Sequence, residues 1–344
     1  MAENYRGTFD KNRFDKPLIN LVRSTAGRMW LVNLCASLAV IQSSLSDSCS
    51  SIFIALSAIA AAVLAEFLIL HKSGKAKAIK DGSAIATALI LTLLLPNRIS
   101  PSYAALGAVF AVAVVKHSFG GLGSNWLNPA AGGWLFVRLS WPSLFNRALE
   151  GSPLEFFGME ADTLAMATPL DGTVRAFLNN TVFSLIRVEL PEGYIDLFAS
   201  PYPGIIADRG VLVLLLGTII ISAYQVNRSW IPAIYLFVFG ILTAFVGALP
   251  QGGELWKGDV ISALCTGGTL VAAFFLAADP ATGAKSNGYI ALAAAAGGAI
   301  AFLFRFYGAE PYGVVFSAVL VNAMLPMIRI LEKRRLYEKQ GAYS

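Results

Sequence analysis

The residues best suited to chemistry lie in a glycine-rich segment in the first half of the chain. It has three glycines within four positions, followed by two asparagines: Gly120, Gly121, Gly123, Asn125 and Asn128. Glycines permit positive φ angles and leave backbone N–H groups open to an anion or a ring carbonyl, and asparagine amides donate and accept at a heterocycle edge. The segment is therefore either a ligand site or a turn between two membrane helices. It does not match the dinucleotide fingerprint, because Trp126 stands where the third glycine belongs.

A second polar stretch, Asp162 to Thr173, carries hydroxyl groups at the centre of the only long hydrophilic insert. The insert, residues 142–208, is much longer than an ordinary loop, which indicates either a functional lobe or disorder. Its aromatic residues and prolines favour an ordered lobe. Taken alone, Thr168 is equally consistent with a simple Thr-Pro turn.

The composition indicates a polytopic membrane protein. Hydrophobic residues make up 56% of the 344 residues and charged residues only 14%, too few to cover a soluble protein of this size. The net charge of +5 comes from basic residues between apolar runs and at the termini, which predicts membrane orientation and no nucleic-acid partner. The three cysteines lack CxxC spacing, so we predict no metal site.

Ten apolar runs are candidate membrane spans, five before the insert and five after it. The third to fifth runs are short for a straight crossing, which suggests broken or re-entrant helices. The runs are Met29–Ile41, Ile52–Leu70, Ser83–Leu95, Tyr103–Val115, Ala130–Trp141, Val211–Tyr224, Ile231–Leu249, Val260–Ala278, Tyr289–Phe306 and Val314–Ile330.

These runs predict an all-α membrane protein in two five-helix halves. Gly82-Ser83 and Gly268-Thr269 each lead an apolar run towards a proline, and an odd number of spans per half makes an inverted repeat the prediction. Such similarity also arises between unrelated membrane helices rich in glycine and alanine. The predicted parts are 1–28, a cytoplasmic segment; 29–141, the first half; 142–208, the external insert; 209–330, the second half; and 331–344, a cytoplasmic tail. Lysine and arginine are concentrated in alternate loops, which places both termini in the cytoplasm.

Several ionisable residues lie in or beside the predicted spans. A carboxylate within a span, such as Glu66, is by default a functional candidate. Because Glu66 lies only four residues from Leu70, we expect it instead to be hydrated at the interface and to pair with the basic segment 71–80. Arg138 and Arg305 should extend towards the outer interface. Asp279, which precedes Pro280, either ends its helix or helps to bind a ligand.

Five sequence segments together resemble one protein family. It is the family of the D subunit of the Rnf ferredoxin:NAD⁺ oxidoreductase, homologous to the B subunit of the sodium-pumping NADH:quinone oxidoreductase. The resemblance extends from about Met29 to Arg329, and its most specific part is the glycine-rich segment. The segments are Asp81-Gly82-Ser83, the leucine-rich run to Pro96, Lys116 to Ala130, Ala167 to Leu170 and Phe274 to Pro280.

The resemblance implies that Thr168 carries FMN through a phosphoester, with Asp162 and Ala167 at matching positions. Ala165 and Met166 depart from the family's motif, which usually has Ser or Thr and then Gly. Arg175 is a candidate cation for the phosphate. The glycines and asparagines of the glycine-rich segment are then cofactor-binding candidates, and a second, non-covalent flavin such as riboflavin is expected between the half-helices.

The resulting hypothesis is a membrane subunit that relays electrons between ferredoxin-side and NAD-side subunits while Na⁺ or H⁺ is translocated. It would act in a bacterial or archaeal cytoplasmic membrane and depend on partner subunits, since it shows no nicotinamide site, iron–sulfur site or catalytic residue of its own. Two alternatives remain: the B subunit of the sodium-pumping enzyme, and a secondary transporter or channel without a redox cofactor.

Overall fold

The computed structural model describes residues 25–45, 49–73, 76–121, 123–149, 204–224, 230–251, 253–279, 286–308 and 312–341. Within these ranges the chain forms helices, joined by short turns and one isolated antiparallel bridge between Pro96 and Ile205. Thr168, Asp162 and Arg175 lie outside the described residues.

The first half contains five helices of the predicted bundle, and one short helix follows them at the start of the predicted insert. The fourth helix continues without interruption into a π-helix, Phe110–His117. The helices are α1 (Thr25–Leu45), α2 (Ser50–Lys72), α3 (Ser83–Leu94), α4 (Pro101–Val109), α5 (Pro129–Ser140) and α6 (Pro142–Leu149).

The second half begins with a single helical turn and contains one interrupted helix. The interruption follows α10, and α11 continues beyond it as a π-helix, Ala272–Ala277. The helices are α7 (Ile206–Arg209), α8 (Val211–Ala223), α9 (Trp230–Val246), α10 (Val260–Cys265), α11 (Thr269–Val271), α12 (Asn287–Phe306) and α13 (Val314–Gly341).

All ten predicted apolar runs fall on helices, which confirms an all-α polytopic membrane protein. Among the described residues, Ser50–Lys72, Asn287–Phe306 and Val314–Glu332 are long and apolar enough to cross a bilayer. The helices of the third and fifth runs are short, at 12 residues each, as predicted. The fourth run, also predicted to be short, lies on a 9-residue α-helix that continues into an 8-residue π-helix. The break in the chain's helices lies instead in the eighth run, between Cys265 and Thr269, which the sequence predicted as one continuous run.

Small residues let the helices approach closely. A Cβ atom on Gly133 of α5 would lie 2.7 Å from the Gly107 carbonyl oxygen of α4. In the second half, a Cβ on Gly298 of α12 would collide with the Tyr235 carbonyl oxygen of α9. Such contacts are typical of membrane helices, where close backbone packing replaces the hydrophobic effect between helices.

Both ends of the predicted insert that the structure describes pack on the bundle. In α6, Phe145 is fully buried and contacts the rings of Trp134 and Tyr312. At the other end, the Ile206 N–H donates to the Leu95 carbonyl at the end of α3. The described ends of the insert, residues 142–149 and 204–208, are therefore packed against the helices.

Candidate functional site

The glycine-rich turn, defined here as residues 118–128 without Leu122, connects the π-helix of α4 with α5. Gly120, Gly121 and Gly123 have φ angles of 107°, 91° and 87°, the conformation that the glycine pattern predicts. The Gly121 N–H donates to the Lys116 carbonyl over 3.1 Å, which ends the π-helix. A Cβ on Gly123 would meet nothing within 4 Å, so the space above this glycine is open.

The two asparagines of this turn make hydrogen bonds within the protein. In the orientation that its neighbours require, the Asn125 amide nitrogen donates to the carbonyls of Lys116 and Gly121 over 3.0 Å each. Asn128 caps α5, because its Oδ1 accepts from the N–H groups of Ala130 and Ala131. Both side chains are buried, and contact with a ligand stays a prediction for them.

Asn128 also connects the two halves of the protein. Its Nδ2 donates to Asp279 Oδ2 over 2.9 Å and to the Phe275 carbonyl over 3.4 Å. Asp279 follows the π-helical segment Ala272–Ala277 and its C-cap Ala278, and it holds the turn through this bond. The glycine-rich turn is thereby fixed against the second half. A role in ligand binding stays a prediction for Asp279.

Two aromatic side chains flank the glycines and were not singled out from the sequence. Phe119 and Trp126 are both about half-exposed, and their rings meet edge to face with centroids 6.0 Å apart. Exposed aromatic faces beside open backbone suit a planar ring system. The signal was present in the sequence as an aromatic residue on each side of the glycine cluster.

A buried ion pair lies directly behind the turn. Lys116 Nζ donates to Glu66 Oε1 over 2.5 Å and to Ser83 Oγ over 2.6 Å, and His117 Nε2 lies 3.3 Å from Glu66 Oε1. Glu66 is only 3% exposed. The expectation that Glu66 is hydrated at the interface is therefore wrong, because Lys116 reaches it from the neighbouring helix and replaces the missing water.

Ser83, the first residue of α3, ties this pair to the helix start. Its N–H and Oγ both donate to Asp81 Oδ1, over 2.8 and 2.6 Å. The preceding Gly82 has φ 74°, a left-handed conformation that a side chain would disfavour. The carboxylate of Asp81 suits this position because N–H groups at a helix start carry partial positive charge.

The interrupted helix carries a second charged cluster, around Arg305 of α12. Its Nη1 donates to the carbonyls of Ala263 and Thr266 and to Thr269 Oγ1, over 2.6, 2.8 and 2.7 Å. Its Nη2 donates to Thr266 Oγ1. Arg305 is buried, so the expected extension towards the interface is wrong. The guanidinium instead satisfies carbonyls at the C-terminal end of α10, where a cation is favoured.

Asp208 supplies the opposite charge on the other side of the interruption. Its two carboxylate oxygens accept from the N–H groups of Gly267 and Gly268, over 3.0 Å each. Gly268, with φ 74°, then leads into Thr269 of α11. An anion at the start of one half-helix and a cation at the end of the other complement both helix dipoles.

The sequence of this chain matches one known protein family over almost its whole length. The sequence model of the NQR2, RnfD, RnfE family matches residues 14–338, nearly the whole chain. The chain belongs to this family. Members of the NQR2, RnfD, RnfE family are membrane proteins, in agreement with the helical architecture.

Several proteins similar to this chain are named as D subunits of oxidoreductase complexes. The D subunit of the proton-translocating ferredoxin:NAD(+) oxidoreductase complex of Clostridium ljungdahlii is 32% identical over 318 residues, 91% of each chain. The corresponding Na(+)-translocating protein of Acetobacterium woodii is 32% identical, over 75% of this chain and 74% of the relative. The D subunit of an ion-translocating oxidoreductase complex of Shewanella denitrificans is 30% identical, over 92% and 95%.

The two charged clusters of this NQR2, RnfD, RnfE family member occupy equivalent places in the two halves. In each half, a basic residue near the end of the fourth apolar run donates to the hydroxyl group at the start of the preceding short helix. Lys116 donates to Ser83 at the start of α3, and Arg305 donates to Thr269 at the start of α11. A left-handed glycine precedes each hydroxyl residue. In addition, α2 packs on α4 as α9 packs on α12. This agreement supports the predicted repeat.

Proposed function

We propose that this chain is the membrane subunit of a multi-subunit redox complex and relays electrons between ferredoxin-side and NAD-side partner subunits while an ion is moved. The observation that carries the proposal is family membership over residues 14–338 together with relatives named as D subunits of ion-translocating complexes. One of these relatives is named for protons and another for Na⁺, so the proposal includes both ions.

The first proposed electron carrier is FMN, joined to Thr168 by a phosphoester. Asp162, Ala167 and Thr168 stand at matching positions of the family's attachment motif, whereas Ala165 and Met166 depart from it. Thr168 would supply the hydroxyl oxygen, and Arg175 a cation for the phosphate. When bound, a flavin supplies one- and two-electron transfer, while the protein holds and orients it.

The second proposed carrier is a non-covalent flavin, such as riboflavin, between the half-helices, and the glycine-rich turn is a candidate part of its site. The turn fits a planar ring, because the space at Gly123 is open and the faces of Phe119 and Trp126 are accessible.

The test of the proposal is Thr168→Val, which removes the hydroxyl and nearly preserves the shape. We expect the variant to assemble without the in-gel flavin fluorescence of the denatured wild-type polypeptide, because only a covalent cofactor survives denaturation. Ferredoxin- or quinone-linked electron transfer should be largely lost, and Thr168→Ser tests whether another hydroxyl suffices. Peptide mass spectrometry should find an FMN-sized increment on the wild-type peptide that contains Thr168.

An unmodified Thr168 peptide from active wild-type complex would contradict the FMN proposal. An unmodified peptide would favour the second candidate function, a secondary transporter. That candidate is supported because paired half-helices with buried charges also suit a permeation pathway. The B subunit of a sodium-pumping NADH:quinone oxidoreductase remains an alternative within the same family. Electron transfer to quinone rather than to NAD⁺ would identify it.

A further inference from the structure

The loop after α9 is folded tightly back onto the end of that helix. Three of its N–H groups donate to carbonyls at the C-terminal end of α9 and just beyond it: Gly253 to Ala248 over 2.9 Å, Trp256 to Phe245 over 3.1 Å, and Gly258 to Ala244 over 3.4 Å. Carbonyls at a helix end otherwise lack protein donors. Because a Cβ on Gly258 would collide with the Thr243 carbonyl oxygen, the approach requires glycine there. The loop is a built cap with a defined shape.

Trp256 occupies the outermost position of this cap in an unusual conformation. Its φ is 67°, which is rare for a bulky residue and is kept only where the surroundings require it. The backbone bond to Phe245 is one such requirement. The ring of Trp256 also packs edge to face on the ring of Phe245, with centroids 4.8 Å apart. Trp256 nevertheless remains 71% exposed, and the neighbouring Leu255 is 51% exposed.

The exposed indole continues an apolar stripe of α9. Phe237, Ile241 and Phe245 are spaced four residues apart, so they lie on one face of the helix, and all three are exposed. On a helix of a polytopic membrane protein such a face meets lipid chains. Trp256 covers Phe245, the last member of the stripe, and so marks the place where the lipid-facing surface ends.

The residues around Trp256 are charged. Glu254 and Lys257 form an ion pair with 2.9 Å between Oε2 and Nζ, and both side chains are mostly exposed. Trp256 thus has an apolar neighbour, Leu255, and a pair of charged residues, Glu254 and Lys257, on either side. This combination is typical of the bilayer interface, where an indole places its ring among the lipid acyl chains and its N–H near the headgroups.

We propose that residues 253–258 are a bilayer anchor that inserts Leu255 and Trp256 at the level of the lipid headgroups and fixes the depth of α9. The anchor acts on the rest of the protein through packing, because α9 contacts α10, the π-helix 272–277 and α12. It therefore also sets the depth of the interrupted helix and of the Arg305 cluster. This proposal is independent of the flavin proposed for Thr168.

The experiment places the photoreactive amino acid p-benzoylphenylalanine at position 256 of the full-length chain in native membranes. The same amino acid at Phe237, in the middle of the apolar stripe, is the lipid-facing control, and at the fully buried Trp134 it is the internal control. After illumination we expect lipid adducts at positions 256 and 237 and attachment only within the chain at position 134. Attachment of position 256 to another polypeptide, or no lipid adduct there, overturns the proposal.

A second measurement avoids the altered residue. The full-length chain in phosphatidylcholine nanodiscs whose lipids are brominated close to the headgroup should lose part of its tryptophan fluorescence. Trp256→Phe should reduce the quenched component, to which other exposed tryptophans such as Trp30 also contribute, whereas Trp134→Phe should leave it unchanged. Equal quenching of the wild type and of Trp256→Phe would show that the indole is not in the bilayer and would overturn the proposal.

Discussion

The ion pair between Lys116 and Glu66 makes a sharp prediction at the scale of single residues. Glu66→Gln leaves the buried ammonium without its counter-ion, and removing one partner of such a pair costs about 3–5 kcal/mol. The double variant Glu66→Gln with Lys116→Met should recover much of this loss, because no uncompensated charge remains. Thermal unfolding of the purified chain in detergent measures both.

Glu254→Gln is the matched control for this prediction, because Glu254 belongs to an exposed pair with Lys257. Exposed pairs contribute about 0–1 kcal/mol, so this variant should unfold close to the wild-type temperature. Equal losses from Glu66→Gln and Glu254→Gln would mean that the buried pair does not form as described.

Gly121 gives the second prediction at this scale, for the glycine-rich turn. With φ 91° and no atom nearer than the His117 ring at 3.8 Å, a side chain at this position meets backbone strain rather than a collision. Gly121→Val should therefore weaken retention of the non-covalent flavin or assembly of the complex, because a β-branched residue disfavours positive φ. Flavin content and electron-transfer rate of purified complex measure the effect. A variant with full flavin and unchanged electron transfer would reduce the turn to a structural connection.

At the scale of elements, the interrupted helix depends on Arg305 and Asp208. Each makes hydrogen bonds in which one partner is charged, and a bond of this kind contributes about 1.5–3 kcal/mol. Arg305→Lys should be almost as harmful as Arg305→Met, because a lysine cannot reach the four acceptors that the planar guanidinium bonds at once. Unfolding temperature and assembly yield test this.

Arg138→Met is the control for the Arg305 variants. Arg138 is only half-buried, and its guanidinium lies over the Phe145 ring at 5.3 Å. Its loss should cost about 0.5–1 kcal/mol, the contribution of an exposed cation–π contact. If Arg305→Lys unfolds like the wild type, the guanidinium is not what holds the interrupted helix.

At the scale of the whole molecule, the distribution of Lys and Arg predicts that both termini are cytoplasmic and that residues 142–208 are external. With Cys35, Cys49 and Cys265 replaced, Glu192→Cys should react with a membrane-impermeant thiol reagent in intact cells. Glu192 lies outside the described residues, so this is a test of topology alone. Labelling that occurs only after lysis would reverse the predicted orientation.

The sequence by itself determined the class and most of the helices. Runs of apolar residues predict membrane helices because backbone groups in lipid must be satisfied within a helix, and this holds whatever the helices pack against. Some local features also followed from the sequence: the apolar run that begins at Ser83, after Gly82, predicted a helix start, and the Gly120 to Gly123 cluster predicted positive φ. These features depend on neighbours in the chain.

Only the tertiary structure decided which charges meet. Glu66 and Lys116 are 50 residues apart, and Asp208 and Gly268 are 60 apart, so no local pattern pairs them. From sequence, Glu66 and Arg305 were expected to reach the interface, because an isolated charge in a membrane helix avoids lipid in that way. Packing supplied buried partners instead, and a buried charge with good partners no longer needs water. Chain periodicity specifies helices, whereas the pairing of charges between helices follows from how those helices pack.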